Sequence, residues 1–379
     1  MSEPMRILQA FVTNDKGGLT GYIVQNYRHL DKTKVQFDFV TFDVGKLDFE
    51  DEFIRMGARF FHIARPSHAL TYYKEIKQIL SGNSYEAIHF NLSYNNFLPV
   101  YLAKLAGTGT HRIILHSHST GIDDPSLLIR ALKQIIHWIG KRLTPLLITD
   151  CFACSKLAAK WLFPDSIIKS HKYEVLYNAI DLSAFQYNER KRKKVRKALD
   201  IEENVFVVGH VGRFTYQKNH EFLIEIFQEI EKKEPKSILL LIGDGPDRPQ
   251  IERLVLNYKL ENKVRFLGQR ADVADLYQAM DVMVLPSHFE GLCIVAIESQ
   301  MAALPTICSE ELPEETNVSS GYTALSLKKS AKIWADAVLS KKNVDRGDNT
   351  EELRKAGYDE EIEIKRIEQL YMHTDVVKL

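Results

Sequence analysis

The stretch Val284 to Glu298, VLPSHFEGLCIVAIE, places two carboxylates eight positions apart, where an apolar run ends at Pro286 and a helical pattern begins after Gly291. If the helix starts near Gly291, Glu290 stands at its mouth and Glu298 lies about two turns further in. The backbone N–H groups of Gly291, Leu292 and Cys293 would then be open to anionic oxygens, while both carboxylates could accept hydrogen bonds from hydroxyls. Such groups suit a diphosphate that carries a sugar and a ribose. The competing reading of Glu290 is a favourable charge at a helix N-terminus and nothing more. A second stretch, Val207 to Asn219, reads VVGHVGRFTYQKN: a buried strand, a turn at Gly212, then Arg213 and Lys218 ahead of a helix from His220. Two fixed cations at a strand end can stabilise a departing diphosphate where other enzymes use a metal. Exposed loop charges are the alternative.

Gly17 and Gly18, in NDKGGLTGY, permit close backbone approach to a phosphate or sugar before a helix from Thr20. They do not form a dinucleotide-binding fingerprint, and neither do Gly243 and Gly245 in LLLIGDGP, where the third glycine is missing. The strand Arg112 to Leu115 runs into His116, Ser117, His118 and Ser119, which puts two imidazoles at a strand end where one can touch a substrate. With Asp123 or Asp124 they could be drawn as metal ligands, but no further ligand spacing supports a metal, and none is expected. Cys151 and Cys154 form a CxxC pair without a second pair or nearby histidines, so a structural role is expected.

These residues need elements to hold them. Short apolar runs alternate with amphipathic stretches, the pattern of parallel sheets covered by helices on both faces, so the fold class is α/β. Strands are predicted at Arg6–Val12, Val35–Phe42, Arg59–Ile63, Ala87–Phe90, Arg112–His116, Asp150–Ala153 and Glu174–Leu176. A second series follows at Val205–Val211, Ile238–Ile242, Val264–Leu267, Val282–Leu285 and Thr306–Cys308. At 379 residues the chain exceeds one ordinary core. The expected organisation is residues 1–187, an acceptor-side doubly wound domain; residues 188–357, a nucleotide-sugar domain; and residues 358–379, a terminal helix. Between the two series, the basic run Arg190 to Lys197 reads as a solvated helix. Two such domains turn the carboxyl ends of their strands toward a shared crevice.

Fifty basic and fifty acidic residues cancel, which argues against nucleic acid as a partner. The chain opens without a basic, apolar leader or a membrane-length run, so a cytoplasmic location is expected. Between Ser126 and Thr144, SLLIRALKQIIHWIGKRLT gives a helix with Trp138 and four cations, Arg130, Lys133, Lys141 and Arg142, without any acid. It fits an interfacial helix in peripheral contact with the inner face of a membrane, and equally a helix packed on the sheet.

Taken together, GHVGRFTYQKNHEFLIEIF, LLLIGDGP, VRFLGQRADVADLYQAMDVMVLPSHFEGL and the later Glu298, with looser agreement at YNAIDLSAF and HSHS, resemble glycosyltransferase family 4. The branch resembled is that of bacterial exopolysaccharide and capsule enzymes with the GT-B fold of two Rossmann-like domains. The resemblance implies a retaining, metal-independent hexosyltransferase without a cofactor. Its donor would be a nucleotide diphosphate sugar, UDP-linked by the branch resembled, and its acceptor a saccharide or lipid-linked saccharide. It further implies that Arg213 and Lys218 hold the diphosphate, Glu290 contacts the donor sugar and Glu298 the ribose. Gly268, Gln269 and Arg270 would lie beside the nucleobase, and His116 or His118 would approach the transferred sugar or acceptor. Strand register slightly favours His116. The sequence departs from the family pattern at Ala179 and at Ala303, where a glycine often precedes the Leu-Pro pair. The terminal segment Tyr358 to Met372 resembles the family's last helix, which crosses back over the first domain, and its paired acids and bases suggest an exposed face.

Overall fold

The computed structural model describes residues 3–14, 17–107 and 112–372. The chain divides into two compact units. The first comprises 1–122, 126–178 and 361–379, and the second comprises 123–125 and 179–360.

The first unit holds a seven-stranded sheet of β1 (Met5–Val12), β2 (Val35–Thr41), β3 (Phe60–His62), β4 (Ala87–Leu92), β5 (Arg112–Ser117), β6 (Asp150–Ala153) and β7 (Glu174–Val175). Its order is β3-β2-β1-β4-β5-β6-β7, and every pairing is parallel. The second unit holds β8 (Phe206–Val211), β9 (Ser237–Ile242), β10 (Val264–Gly268), β11 (Val282–Leu285), β12 (Thr306–Ser309) and β13 (Tyr322–Leu325), in the order β10-β9-β8-β11-β12-β13 and again all parallel. The chain therefore has the two α/β domains of the GT-B fold. In each sheet the winding reverses beside the first strand, between β1 and β4 and between β8 and β11. Parallel doubly wound sheets leave a crevice at the carboxyl ends of strands flanking such a reversal.

Both faces of these sheets are covered, which explains why the strands read as apolar runs. In the second unit Phe206, Val208, Leu239 and Val282 pack on one face, while Val207, Leu240 and Met283 pack on the other. The first unit's core joins Phe37, Phe39, Phe53 and Tyr27 to Ile364, Ile367 and Tyr371 of the helix Glu360–Met372.

Several local expectations are corrected. The Glu360–Met372 helix exposes Glu361 but turns two of its acids inward. Glu363 and Glu368 are buried and accept hydrogen bonds from the backbone N–H of Tyr177 (3.2 Å) and of Asp31 (2.7 Å). Its last carbonyls, Leu370 O and Tyr371 O, accept from the Arg112 guanidinium, itself paired with Asp150 at 2.9 Å. The basic run forms the helix Glu189–Ala198; Arg190 and the lysines are exposed, but Arg192 and Arg196 turn inward and both bind Asp281, at 2.6 and 2.7 Å. The edge strand β13 was not predicted.

Candidate functional site

In the second unit, the two loops that follow β8 and β11 lie on either side of the winding reversal and are tied together. After β8 the chain turns at Gly212, exposes the Arg213 side chain, buries Phe214, and forms a single 3-10 turn over Tyr216–Lys218. Asn219 then adopts a left-handed conformation (φ 55°) before the helix His220–Lys233 begins, and its amide donates to Pro286 O at 3.0 Å. The loop sits against the next strand end. Gly212 N donates to Ile242 O (2.9 Å), and Gly243, at φ 132°, lies so close that a Cβ there would stand 2.0 Å from Gly212 O. Gly243 and Gly245 therefore support the Arg213–Lys218 loop, a role their spacing did not reveal.

Lys218 Nζ donates to Glu290 Oε1 at 2.6 Å, and Gln217 donates to Glu290 Oε2 (2.9 Å) and to Phe289 O (3.0 Å). The lysine and glutamate side chains are only 14% and 7% exposed. Burial alone would lower the Lys218 pKa, but Glu290 beside it reverses this and holds the ammonium above the ordinary lysine range. Tyr216 stacks on His288, and His288 N donates to Gln217 O at 2.8 Å, so the β11 loop is held along its length.

These bonds shift the helix start expected at Gly291. The helix spans Ile294–Met301 with Cys293 at its N-cap, because Gln217 and Lys218 hold residues 289 and 290 in the loop before it. Glu290, Gly291 and Leu292 thus belong to the loop before the helix and not to its mouth. Glu298 lies inside the helix, where burial raises its pKa and the bond from Tyr277 OH (2.7 Å) partly offsets this. Gly268, at φ 67°, ends β10 and accepts from Gly243 N (2.8 Å); Gln269 follows, and Arg270 pairs with Asp272 at 2.6 Å. At the far end of the same helix, Ala303 stands at φ 49°, with Ala303 N bonded to Gln300 O and Leu304 N to Ser299 O. This is a Schellman cap, whose left-handed position favours glycine.

In the first unit, the helix Gly18–His29 begins two residues earlier than expected, with Gly17 at its N-cap. Space beside Gly18 is open to 4 Å. His116 is the last residue but one of β5 and fully buried, whereas His118, just past the strand, is half-buried. Their rings lie 4.0 Å apart, and Tyr22 packs against both. His116 Nδ1 contacts His89 Nε2 (3.2 Å), and His118 Nε2 contacts Asn91 Oδ1 (2.9 Å). Of the two, His118 is the more exposed. Burial lowers the pKa of His116 well below normal and that of His118 to about 3, so both are neutral at pH 7. Among the described residues no group of three or more His, Cys, Asp or Glu is placed to hold a metal ion. Cys151 and Cys154 are both buried thiols.

The helix Leu127–Leu143 is exposed over most of its length. Only His137 and Gly140 are buried, while Leu128 is 84% and Trp138 57% exposed, together with Leu127, Leu132 and Ile135. No helix among the described residues is long and apolar enough to cross a membrane.

The fold and these loops define a glycosyltransferase architecture, and comparison with known proteins agrees. The family described as Glycosyltransferase Family 4 matches residues 16–184, and that described as Glycosyl transferases group 1 matches residues 191–358. The chain belongs to the family-4 type of GT-B glycosyltransferases. It is similar to the putative glycosyltransferase EpsF of Bacillus subtilis (strain 168), with 29% identity over 89% of this chain and 88% of the relative. It is also similar to an Escherichia coli UDP-Gal:alpha-D-GlcNAc-diphosphoundecaprenol alpha-1,3-galactosyltransferase, with 26% identity over 77% of this chain and 76% of the relative. The crystal structure of Anabaena Alr3699/HepE in complex with UDP and glucose shares the fold, with a TM-score of 0.75 at 17% identity over 97% of this chain and 99% of that one.

Proposed function

We propose that this glycosyltransferase moves a hexose or N-acetylhexosamine from a UDP-sugar to a saccharide or lipid-linked saccharide, with retention of configuration and without a metal or cofactor, in exopolysaccharide or capsule assembly. The observation that carries this reading is the Lys218–Glu290 pair at the winding reversal, with Arg213 exposed on the same loop. Arg213 and Lys218 balance the diphosphate as negative charge builds on the leaving oxygen, and the loop amides of Gly291, Leu292 and Cys293 add donors. Glu290 orients Lys218 and accepts from a donor-sugar hydroxyl, and Glu298 accepts from the ribose. Gly268, Gln269 and Arg270 flank the base, and Gly17 and Gly18 leave room for phosphate or sugar at the first helix. His118, with His116 behind it, approaches the transferred sugar or acceptor. The acceptor attacks from the face the diphosphate leaves, with no protein nucleophile.

UDP as the nucleotide draws support from the donor in the galactosyltransferase relative's name and from the UDP of the Anabaena complex. Lipid linkage draws support from the helix Leu127–Leu143. Its exposed Leu127, Leu128, Leu132 and Trp138 lie among Arg130, Lys133, Lys141 and Arg142, a composition suited to an anionic lipid surface. The test is calorimetric titration with UDP, GDP and ADP, and flotation with vesicles of anionic or neutral lipid. Selective UDP binding that is lost in Arg213→Ala, and anionic-vesicle binding lost in Trp138→Glu/Leu128→Glu, are expected. Equal affinity for all three nucleotides removes the UDP assignment, and indifference to lipid charge removes the membrane one.

A further inference from the structure

One face of the first sheet carries a line of polar side chains behind His116 and His118, of which Gln9, His89 and Asn91 have no part in the transfer chemistry above. In parallel strands register partners share a face: Gln9 pairs with His89, Asn91 pairs with His116, and alternation adds His118. Tyr371 of the Glu360–Met372 helix, part of the first unit's core, packs against His89. Their hydrogen bonds form an unbranched chain. His118 Nε2 meets Asn91 Oδ1 (2.9 Å), Asn91 Nδ2 donates to Gln9 Oε1 (3.0 Å), and Gln9 Nε2 donates to Tyr371 OH (3.1 Å). Tyr371 OH meets His89 Nδ1 (2.6 Å), and His89 Nε2 meets His116 Nδ1 (3.2 Å).

Each link fixes the next. Asn91 Oδ1 can only accept, so His118 carries its proton on Nε2. Tyr371 OH already accepts from Gln9, and its single proton goes to His89 Nδ1. His89 is then protonated on Nε2 and donates to His116 Nδ1, which leaves the His116 proton on Nε2. All three rings are neutral because burial drives their pKa values down. The two atoms at the ends of the chain, His116 Nε2 and His118 Nδ1, are buried without a hydrogen-bond partner among the described residues. One is a donor and the other an acceptor. Reversing every bond would exchange the two ends but could not make them alike, and it would move all three rings to the other tautomer together.

We propose that Tyr371 is a positioning residue for the histidine pair: seated by the C-terminal helix, it locks His89 and His116 into the same tautomer that Asn91 gives His118, so that the pair meets its ligand with one donor and one acceptor. A hydroxyl both donates and accepts, and a saccharide is the ligand class that presents such groups; this part rests on the glycosyl-transfer reading. Arg112, which binds Leu370 O and Tyr371 O, holds the tyrosine's turn in place.

The test is ¹⁵N-histidine NMR of the full ligand-free chain at neutral pH, with Tyr371→Phe beside it. In the unsubstituted protein, His89, His116 and His118 share one neutral tautomer; different tautomers among the three would overturn the relay without any variant being needed. In Tyr371→Phe, His89 and His116 become tautomeric mixtures, while His118, held by Asn91, stays single. Transfer by this variant falls at least tenfold in kcat/KM. An unchanged His116 tautomer, or a released tautomer with unchanged kcat/KM, refutes the positioning role. Absence of turnover in the unsubstituted protein with every sugar nucleotide would instead refute the transfer reading and leave the tautomer result standing.

Discussion

Replacing Lys218 with Met removes a cation and keeps most of its stem, so it separates what the Lys218–Glu290 pair does for the fold from what it does for transfer. At 2.6 Å and an effective dielectric near 20 the gross attraction is about 6 kcal/mol. Desolvation of two largely buried side chains takes back part of this, and stranding one partner of such a pair costs about 3–5 kcal/mol. For a domain of the second unit's size that corresponds to roughly 6–20 °C in Tm. Glu290→Gln added to Lys218→Met removes the stranded charge and keeps an acceptor for Gln217, so the double variant should regain all but about 1 kcal/mol, with a coupling energy above about 2 kcal/mol. Transfer should not return. Loss of one stabiliser of the leaving charge costs about a hundredfold or more, and no neutral pair replaces it. Urea melts give the stability cycle and nucleotide release gives the rates. A double variant as unstable as Lys218→Met refutes the buried-pair argument, and one that regains transfer removes Lys218 from the chemistry.

Three further outcomes follow from other sites. His89, His116, His118, His210 and His220 are buried with depressed pKa values, to about 3 for His118 and about 4 for His210. They are neutral in the folded chain but take protons once unfolded below pH 6.5. Their contribution is therefore intact above pH 6.5 and lost as pH falls toward 4, at up to about 1.4 kcal/mol per pH unit for each histidine. Denaturant melts at pH 7.5, 6 and 5 check this, and a flat profile contradicts it. Ala303→Gly should stabilise the second unit by about 1 kcal/mol, since the left-handed Schellman position penalises a Cβ; a lowered Tm argues against that cap. Transfer should survive exhaustive EDTA treatment, because Arg213, Lys218 and the loop amides supply the charge balance, and a magnesium-reversible loss would show that a divalent ion does so instead.

The strands were legible because fully covered parallel strands leave continuous apolar runs, as in Ser237–Ile242. β13 was not, since it lies at an edge where Tyr322 and Thr323 are only partly buried and Ala324 is exposed. Pairing Glu290 with Lys218 depends on the winding reversal, which brings residues 72 positions apart to 2.6 Å. The helix start at Ile294 was misjudged because Gln217, on another loop, holds Phe289 and Glu290 out of it. For the helix Leu127–Leu143, amphipathicity gave a face but not its direction, and only the tertiary structure shows that face turned outward. The alternating His89 and Asn91 in β4 were a readable signal, being polar at a period of two within a buried strand. Their link to Tyr371, 282 positions from His89, was not.

The most direct test of the account is product analysis with a panel of labelled UDP-hexoses and UDP-N-acetylhexosamines, with and without a lipid-linked saccharide acceptor. The account predicts UDP release coupled one-to-one to acceptor-dependent formation of an α-linked product from at least one donor, abolished in Lys218→Met. A changed sugar still attached to UDP in the absence of acceptor, or a β-linked product, would contradict it.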